Sequence, residues 1–215
     1  MTYEAQRCTL KDLLPPAESD EMAAHIEEVK ARIEAFEVLR DKLSPEISEE
    51  NFLEILHRYE ELYADAVVLR AYSYLWFSED ATAQAALTFR SRMDQLVAEM
   101  QNSTLFFTLW WKSLDEENAA RLMAPSGDLR YFLESLRRFT PYTLSEPEER
   151  LINIKDVNGM NAVLTVYDMI TNGFKFHLTV DGEEKELTRS ELSTYVVNPS
   201  ADLRAAAYQE MYRVY

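Results

Sequence analysis

A short alternating segment followed by a two-residue turn most constrains what this chain can fold into. Residues 174–180 alternate apolar and polar side chains, as a half-buried strand does. Asp181 and Gly182 then supply a hairpin turn, and residues 183–187 run back along the first strand. The sequence therefore predicts a β-hairpin at about residues 174–188.

The remainder of the chain has the pattern of helices. Its 215 residues include only 4 glycines and 7 prolines, so few positions interrupt a helix. Apolar residues recur every three, four or seven positions in the first long segment: Met22, Ile26, Val29, Ile33, Phe36 and Leu43. We predict a mainly α fold, an antiparallel helical bundle with one small β-hairpin near the C-terminal end.

The second helix is predicted over residues 47–77, and its later part, residues 66–77, is apolar nearly all round. Such a segment is typical of a helix covered on more than one side. The predicted buried side carries Phe52, Leu56, Tyr59, Leu62 or Tyr63, Ala66, Leu69 and Tyr72. A third helix is predicted from residue 81 towards Met100, with a kink or interruption at residues 102–104, where Asn, Ser and Thr compete for backbone hydrogen bonds.

Prolines and capping signals predict three regions. Pro15-Pro16 separates a leader, residues 1–16, from a long-helix bundle, residues 17–111. Residues 112–215 would then hold shorter helices and the hairpin.

Helix starts in this last region are marked by capping boxes at Ser145 and Thr188, and by a cap at Asn198-Pro199. The last helix has no closing glycine or proline, so we expect it to be truncated. We also expect an exposed apolar patch near its end, formed by Tyr208, Met211, Tyr212, Val214 and Tyr215.

Charge and composition exclude several classes of partner. The net charge of −16 repels phosphate backbones and anionic lipid, so we expect no nucleic-acid and no membrane partner. The single cysteine, Cys8, rules out an internal disulfide and favours a reducing compartment. The N-terminus lacks the pattern of a signal peptide, and the densest apolar run, residues 105–111, is too short to span a bilayer. These features predict a cytoplasmic location.

The histidines do not form a recognisable catalytic or metal site. A zinc-peptidase helix needs two histidines four residues apart with a glutamate after the first, but His57 is followed by Arg58 and has Glu61 in place of the second histidine. Glu54 and His57 match one half of a di-iron motif, and the second half is absent from the sequence. His177 lies on the polar face of the predicted strand, and His25 lies between two apolar-stripe positions.

No other catalytic pattern is present in the sequence. Cys8 has no neighbouring histidine, and four glycines cannot build a phosphate loop. We therefore predict no catalytic and no metal-binding residue in this portion, and its substrate-binding residues stay unknown.

Two aromatic clusters and an arginine pair allow both a structural and a functional interpretation. The clusters at residues 72–77 and 105–111 could line a ligand groove, although such spacing is more typical of a helical core. Arg137 and Arg138 could meet a substrate carboxylate, although a pairing at a helix end is the default.

Several motifs taken in order resemble oligoendopeptidase F-type sequences. They extend from about Tyr72 to the end of the chain, and their order and spacing make the match fairly specific. The motifs are Ser78-Glu-Asp80 followed by Gln84, and the segments 105–112, 139–149, 180–188 and 198–208.

The resemblance implies a mostly helical zinc metallopeptidase of the thimet oligopeptidase-like family, with two lobes around a deep channel that admits short peptides. In that family zinc lies on an H-E-x-x-H helix of the C-terminal lobe, so no family catalytic or zinc-binding residue is carried onto this sequence. This portion would be the N-terminal lobe, inactive alone, forming one wall and the size filter of the channel.

The complete enzyme would bind zinc and short peptides. The partner of this portion would be the missing C-terminal catalytic lobe, with self-association through the exposed lobe interface when that lobe is absent. The alternative, from the residues alone, is a non-catalytic helical module that binds peptides or a partner protein.

Overall fold

The computed structural model describes residues 9–215, most of which are helical. The helices are α1 (Asp20–Glu37), α2 (Glu49–Glu79), α3 (Gln84–Ser113), α4 (Glu116–Met123), α5 (Arg130–Arg138), α6 (Glu146–Asn158), α7 (Met160–Asn172), α8 (Arg189–Val196) and α9 (Ala201–Val214). The strands are β1 (Phe176–Val180) and β2 (Glu183–Leu187), and short 3₁₀ turns occupy Val38–Lys42, Gly127–Leu129 and Thr140–Tyr142. The predicted mainly α class with one hairpin is confirmed.

The chain divides into two compact units, Met1–Met160 and Asn161–Tyr215. Residue 111, after which a boundary is predicted, lies inside α3. The end of that helix shares one apolar core with α4 and α5. Leu10 and Leu14, which lie in the predicted leader, are packed against the same core.

The core of the first unit lies among three long helices. Helices α1, α2 and α3 pack against one another, while α5 and α6 lie against α3 and α4 lies against α2. Aromatic rings at its centre come from all three long helices: Phe36, Phe52, Tyr59, Phe107 and Trp111. Burial of such rings removes large apolar areas from water, which makes this core the main source of stability in the unit.

Helix α3 runs without interruption from Gln84 to Ser113, so the break predicted at residues 102–104 is wrong. The two buried polar side chains at this point, Asn102 and Thr104, both find partners. The Thr104 hydroxyl donates to the Met100 backbone carbonyl at 2.9 Å, and the Asn102 side-chain oxygen Oδ1 accepts from Asn153 Nδ2 at 2.9 Å. The Thr104 hydroxyl shares the Met100 carbonyl with the helical backbone, and Asn102 bonds a side chain of another helix, so neither replaces a backbone bond of α3.

The second half of α2 is covered on one side only, which contradicts the prediction of cover on more than one side. Leu69 and Phe77 are buried, whereas Val67 is 61% exposed and Leu75 is 45% exposed. The apolar content of this segment therefore exceeds what the described neighbours bury.

The second unit contains the hairpin and its supporting helices. Strands β1 and β2 pair antiparallel, with Phe176 opposite Leu187. Asp181 (φ 53°) and Gly182 (φ 82°) both adopt the left-handed conformation that a tight hairpin turn requires. The buried face of the hairpin, formed by Phe176, Leu178, Val180 and Leu187, packs with Leu192 of α8 and Ala207 of α9.

Capping residues were predicted correctly at two of three helices in this part of the chain. Ser145 and Thr188 each form the predicted capping box, with Glu148 and Glu191 respectively. The cap of α9 is Ser200 rather than the predicted Asn198-Pro199, because the Ser200 hydroxyl accepts from the Leu203 amide. The Asn198 side chain instead accepts from the Ser200 amide at 2.9 Å.

Gly159 follows the last residue of α6, and its backbone lies very close to the Lys155 carbonyl. Its amide donates to the Lys155 carbonyl at 2.7 Å. A Cβ atom at this position would lie 2.7 Å from the same oxygen, which is too close for any side chain. The Asn158-Gly159 signal predicted from the sequence therefore reflects a steric requirement.

Within residues 9–215, none of the helices is both long enough and apolar enough to cross a membrane.

Candidate functional site

A pair of tyrosines on α2 forms the wall between two adjoining cavities of the first unit. Tyr59 and Tyr63 lie one turn apart on the same helix face, and their ring centroids are 4.6 Å apart. Tyr59 also contacts Phe107 of α3 and Phe132 of α5. Burial, together with the Tyr63 hydroxyl, raises the pKa of Tyr59 well above its ordinary value, so this side chain stays neutral.

The cavity on one side of the tyrosine pair is apolar. Its volume is about 210 Å³. Its lining consists of Leu56, Tyr59, Glu60, Tyr63, Leu129 and Phe132, in which Glu60 is the single charged side chain. Glu60 Oε2 lies 3.2 Å from His57 Nδ1, and both side chains are more than half exposed to solvent. The cavity therefore joins an apolar floor to an acidic rim.

The cavity on the other side of the pair is polar and has a volume of about 140 Å³. Besides the two tyrosines it is lined by Gln101, Thr104, Leu105, Thr108 and Asn153. The Thr108 hydroxyl donates to the Leu105 carbonyl at 3.0 Å, which leaves its oxygen lone pairs as acceptors. We call the two cavities and the tyrosine pair between them the tyrosine groove.

The arginine pair of the sequence analysis has a structural role. Arg137 Nη1 donates to the carbonyls of Trp111 and Leu114 at 3.1 and 2.9 Å, and Nη2 meets Glu116 at 2.6 Å. Arg137 therefore closes the C-terminal end of α3, which is the helix-end interpretation rather than the substrate-carboxylate one. Arg138 lies over the ring of Tyr131 at 5.7 Å.

The three described histidines belong to three different elements, and His25 is half-buried on α1. His57 is paired with Glu60 on α2, while Glu54 of the half-motif is paired with Arg58. His177 lies 3.7 Å from Glu184 on the exposed face of the hairpin. Cys8 lies outside the described residues.

Zinc does not fit the side chains of residues 9–215, because no three His, Cys, Asp or Glu side chains there converge on one point. We assign no step of zinc chemistry to them.

Most residues of the two aromatic clusters belong to cores, as the sequence pattern favoured. Tyr72, Phe77, Phe106, Phe107 and Trp111 are buried. The tyrosine groove is lined by Tyr59 and Tyr63 of α2, and also by Leu105 and Thr108 from the second of these segments. The sequence predicts Tyr59 on the buried side of α2 and Tyr63 only as an alternative to Leu62.

Helix α7 turns its apolar side chains to solvent. Val163 is 66% exposed and Tyr167 is 50% exposed. The other members of this surface, which we call the α7 apolar face, are Leu164, Val166, Met169 and Ile170. The less exposed side of the helix is polar and carries Asn161, Thr165, Asp168 and Thr171. This arrangement is the reverse of an ordinary surface helix.

The patch predicted near the end of α9 is smaller than the sequence analysis expected. Tyr208 and Tyr212 are exposed, but Met211 and Val214 pack against the hairpin core. Tyr215 is half exposed, and its ring stacks on Phe176 with centroids 6.3 Å apart. The α7 apolar face was missed by the pattern analysis. The sequence does contain a signal for it, since residues 160–172 have few polar side chains for a helix that short.

Comparison with protein families finds a match to one family of peptidases over part of the chain. Residues 110–176, from the end of α3 to the start of β1, match the sequence model of a family described as Oligopeptidase F. The resemblance drawn from the motifs is confirmed by this match.

Comparison with solved structures gives a particular enzyme of similar fold. The crystal structure of oligoendopeptidase-F from Enterococcus faecium aligns with a TM-score of 0.64 and 16% identity over 91% of this chain. The chain spans 37% of the length of that enzyme. A putative peptidase from Chlamydophila abortus aligns with a TM-score of 0.45 and 18% identity over 87% of this chain and 33% of its own. No curated protein matches the chain.

Proposed function

We propose that this chain is the N-terminal lobe of an oligoendopeptidase F-type zinc metallopeptidase that hydrolyses short peptides. The observation that carries the proposal is the family match over residues 110–176. The fold similarity to the solved enzyme, which extends over 91% of the chain, supports it.

In this proposal the chain supplies one wall and the size filter of a substrate channel, and a further lobe supplies the zinc centre. The coverage of 37% of the solved enzyme leaves room for such a lobe in a protein of similar length. The absence of a converging ligand set among residues 9–215 is consistent with a metal site elsewhere.

The α7 apolar face is the surface that we assign to docking of the catalytic lobe. Six large apolar side chains on a single helix are costly to leave in water, at roughly 25 cal/mol per Å² of apolar area. A catalytic lobe that covered them would recover that free energy. When that lobe is absent, the same face would favour self-association of the chain.

A non-catalytic helical module that binds a separate protein is the second candidate. It is favoured by the same α7 apolar face, because such a face would serve equally well for a partner on another chain. The two candidates differ in whether zinc and peptidase activity accompany the chain.

Peptide hydrolysis and zinc content test the proposal. We expect the longest natural gene product that contains these residues to carry zinc and to cleave short internally quenched peptides. We expect residues 1–215 alone to do neither. Zinc-dependent cleavage by residues 1–215 alone would contradict the assignment of the centre to another lobe. A natural product without zinc or activity, bound tightly to a partner, would favour the second candidate.

A further inference from the structure

We propose that the tyrosine groove binds a short peptide through one aromatic or large aliphatic side chain that lies next to a positive charge. The inference rests on the proposed function, because it names the class of peptide that this lobe would select.

The apolar cavity sets the requirement for a large side chain. Five of its six lining residues, all except Glu60, present aromatic or aliphatic groups. Its volume of about 210 Å³ holds a ring or a branched chain and leaves too few polar groups to satisfy a polar one. A peptide without such a side chain would leave the cavity to water.

The polar cavity supplies partners for the peptide backbone. Asn153 Nδ2 donates to Asn102, which leaves the Asn153 side-chain oxygen Oδ1 as an acceptor for a peptide N–H. The Gln101 amide and the Thr108 oxygen lie in the same lining. Because the two cavities share Tyr59 and Tyr63, a peptide across the pair can place its side chain in one and its backbone in the other.

The acidic rim sets the sign of the charge. Glu60 is the charged residue in the lining of the apolar cavity, whereas the next residue along α2, Glu61, lines neither cavity. No Lys or Arg contributes to the lining of either cavity. A chain of net charge −16 also attracts cationic ligands at long range. Anionic peptides are therefore disfavoured at the groove.

The two cavities together reach the lower end of the size range of small-ligand sites, about 300 Å³. A groove of this size would hold one or two residues of a peptide. We therefore expect a weak site, with a dissociation constant on the order of 1 mM for a tripeptide.

Three blocked tripeptides test the inference on the 215-residue chain by isothermal calorimetry or NMR titration. The probes are acetyl-Lys-Phe-Ala-amide, acetyl-Lys-Gly-Ala-amide and acetyl-Glu-Phe-Ala-amide. We expect the first to bind at least about tenfold more tightly than the second, because only its ring fills the apolar cavity. We expect about threefold tighter binding than the third, because Glu60 attracts the lysine.

Matched variants assign any binding to the groove. Phe132→Ala should weaken the first probe about tenfold. Its neighbour Tyr131, which is exposed and outside the lining, is the control, and Tyr131→Ala should leave binding within about twofold. Leu129→Ala repeats the test if Phe132→Ala does not fold. Glu60→Gln should remove the preference for lysine over glutamate, whereas Glu61→Gln should retain it.

Equal affinity for the first two probes, or equal effects of Phe132→Ala and Tyr131→Ala, would overturn the inference. So would a folded chain, verified by circular dichroism, that binds none of the three. None of these three outcomes bears on the lobe assignment, because zinc content and hydrolysis by the longer product measure that separately.

Discussion

Helices α3 and α7 are both rich in apolar residues, yet they are used in opposite ways. In α3 the rings of Phe106, Phe107 and Trp111 are buried in a core that α1 and α2 complete. In α7 the large apolar side chains are exposed, and the polar side is the less exposed one. The comparison shows that the number of apolar residues in a helix sets how much apolar surface there is to bury. Which part of that surface is buried depends on the helices that pack against it.

Helix α6 is intermediate between α3 and α7 in how its apolar residues are buried, and polar contacts hold it to the rest of the first unit. Arg40, in the 3₁₀ turn after α1, meets Glu146 at 2.9 and 2.6 Å. Asn153 bonds Asn102 of α3, while Leu151 and Ile154 on the same helix are exposed. A helix held in this way contributes little apolar burial to the core.

The largest expected difference between α3 and α7 is in amide hydrogen exchange. We expect the central amides of α3 to exchange only on global unfolding, with protection worth at least about 5 kcal/mol. The amides of α7 should open locally at about 1–2 kcal/mol, because a 13-residue helix with an exposed apolar side gains little from packing. Exchange followed by mass spectrometry measures both, and protection of α7 equal to that of α3 would break the comparison.

Truncation of one aromatic residue in each helix gives the next largest effect. Trp111→Ala removes a fully buried ring and its 2.9 Å bond to the Leu133 carbonyl, so the free energy of unfolding should fall by about 4 kcal/mol. Tyr167→Ala removes a half-exposed ring and should cost less than about 0.5 kcal/mol. Urea denaturation checks both, and a loss at Tyr167 as large as that at Trp111 would mean that α7 is packed in the isolated chain.

These two helices also show how far the sequence determines the fold. The periodic apolar residues of the long helices, the Asp181-Gly182 turn and the capping boxes act locally, so pattern alone located them. The continuity of α3 was missed because it depends on a partner for Asn102 that comes from Asn153, far along the chain. The tyrosine groove was missed for a related reason, because its lining comes from four separate parts of the chain and has no sequence period.

Glu210 tests the packed part of the second unit, in contrast to α7 in the same unit. Its carboxylate accepts from the His177 amide at 2.6 Å and from Arg213 at 2.6 and 2.7 Å. Hydrogen bonds from Arg213 and from the His177 amide lower the pKa of Glu210 to about 2. Glu210→Gln should therefore cost about 1.5 kcal/mol at pH 7.

The pH dependence of that effect has a definite sign. A carboxylate whose pKa is lower in the folded state stabilises the fold fully at pH values above its ordinary pKa, near 4.5. That stabilisation is lost as the pH falls through the folded-state pKa of about 2. The difference in the free energy of unfolding between the wild type and Glu210→Gln should therefore shrink between pH 4.5 and about 2. Urea titrations followed by NMR signals of the hairpin measure it. Glu184→Gln, at a side chain that is 75% exposed, is the control and should show no such change.

Glu146 gives the smallest expected effect, because its ion pair is partly exposed. Hydrogen bonds from Arg40 lower the pKa of Glu146 below its ordinary value. Glu146→Gln should cost about 0.5 kcal/mol at neutral pH, and the cost should disappear as the pH falls below the ordinary glutamate range. Asp156→Asn on the exposed side of α6 is the control. Equal costs for the two variants in urea denaturation would show that the Arg40 pair does not hold α6.

At position 137 an arginine cannot be replaced by a lysine, although the two carry the same charge. The planar guanidinium of Arg137 reaches two backbone oxygens and one carboxylate at the same time. A lysine carries the same charge but has a single nitrogen, and so cannot span acceptors spread over residues 111–116. Homologues that keep this helix end should therefore tolerate no basic replacement at position 137, because the shape of the side chain matters there as much as its charge.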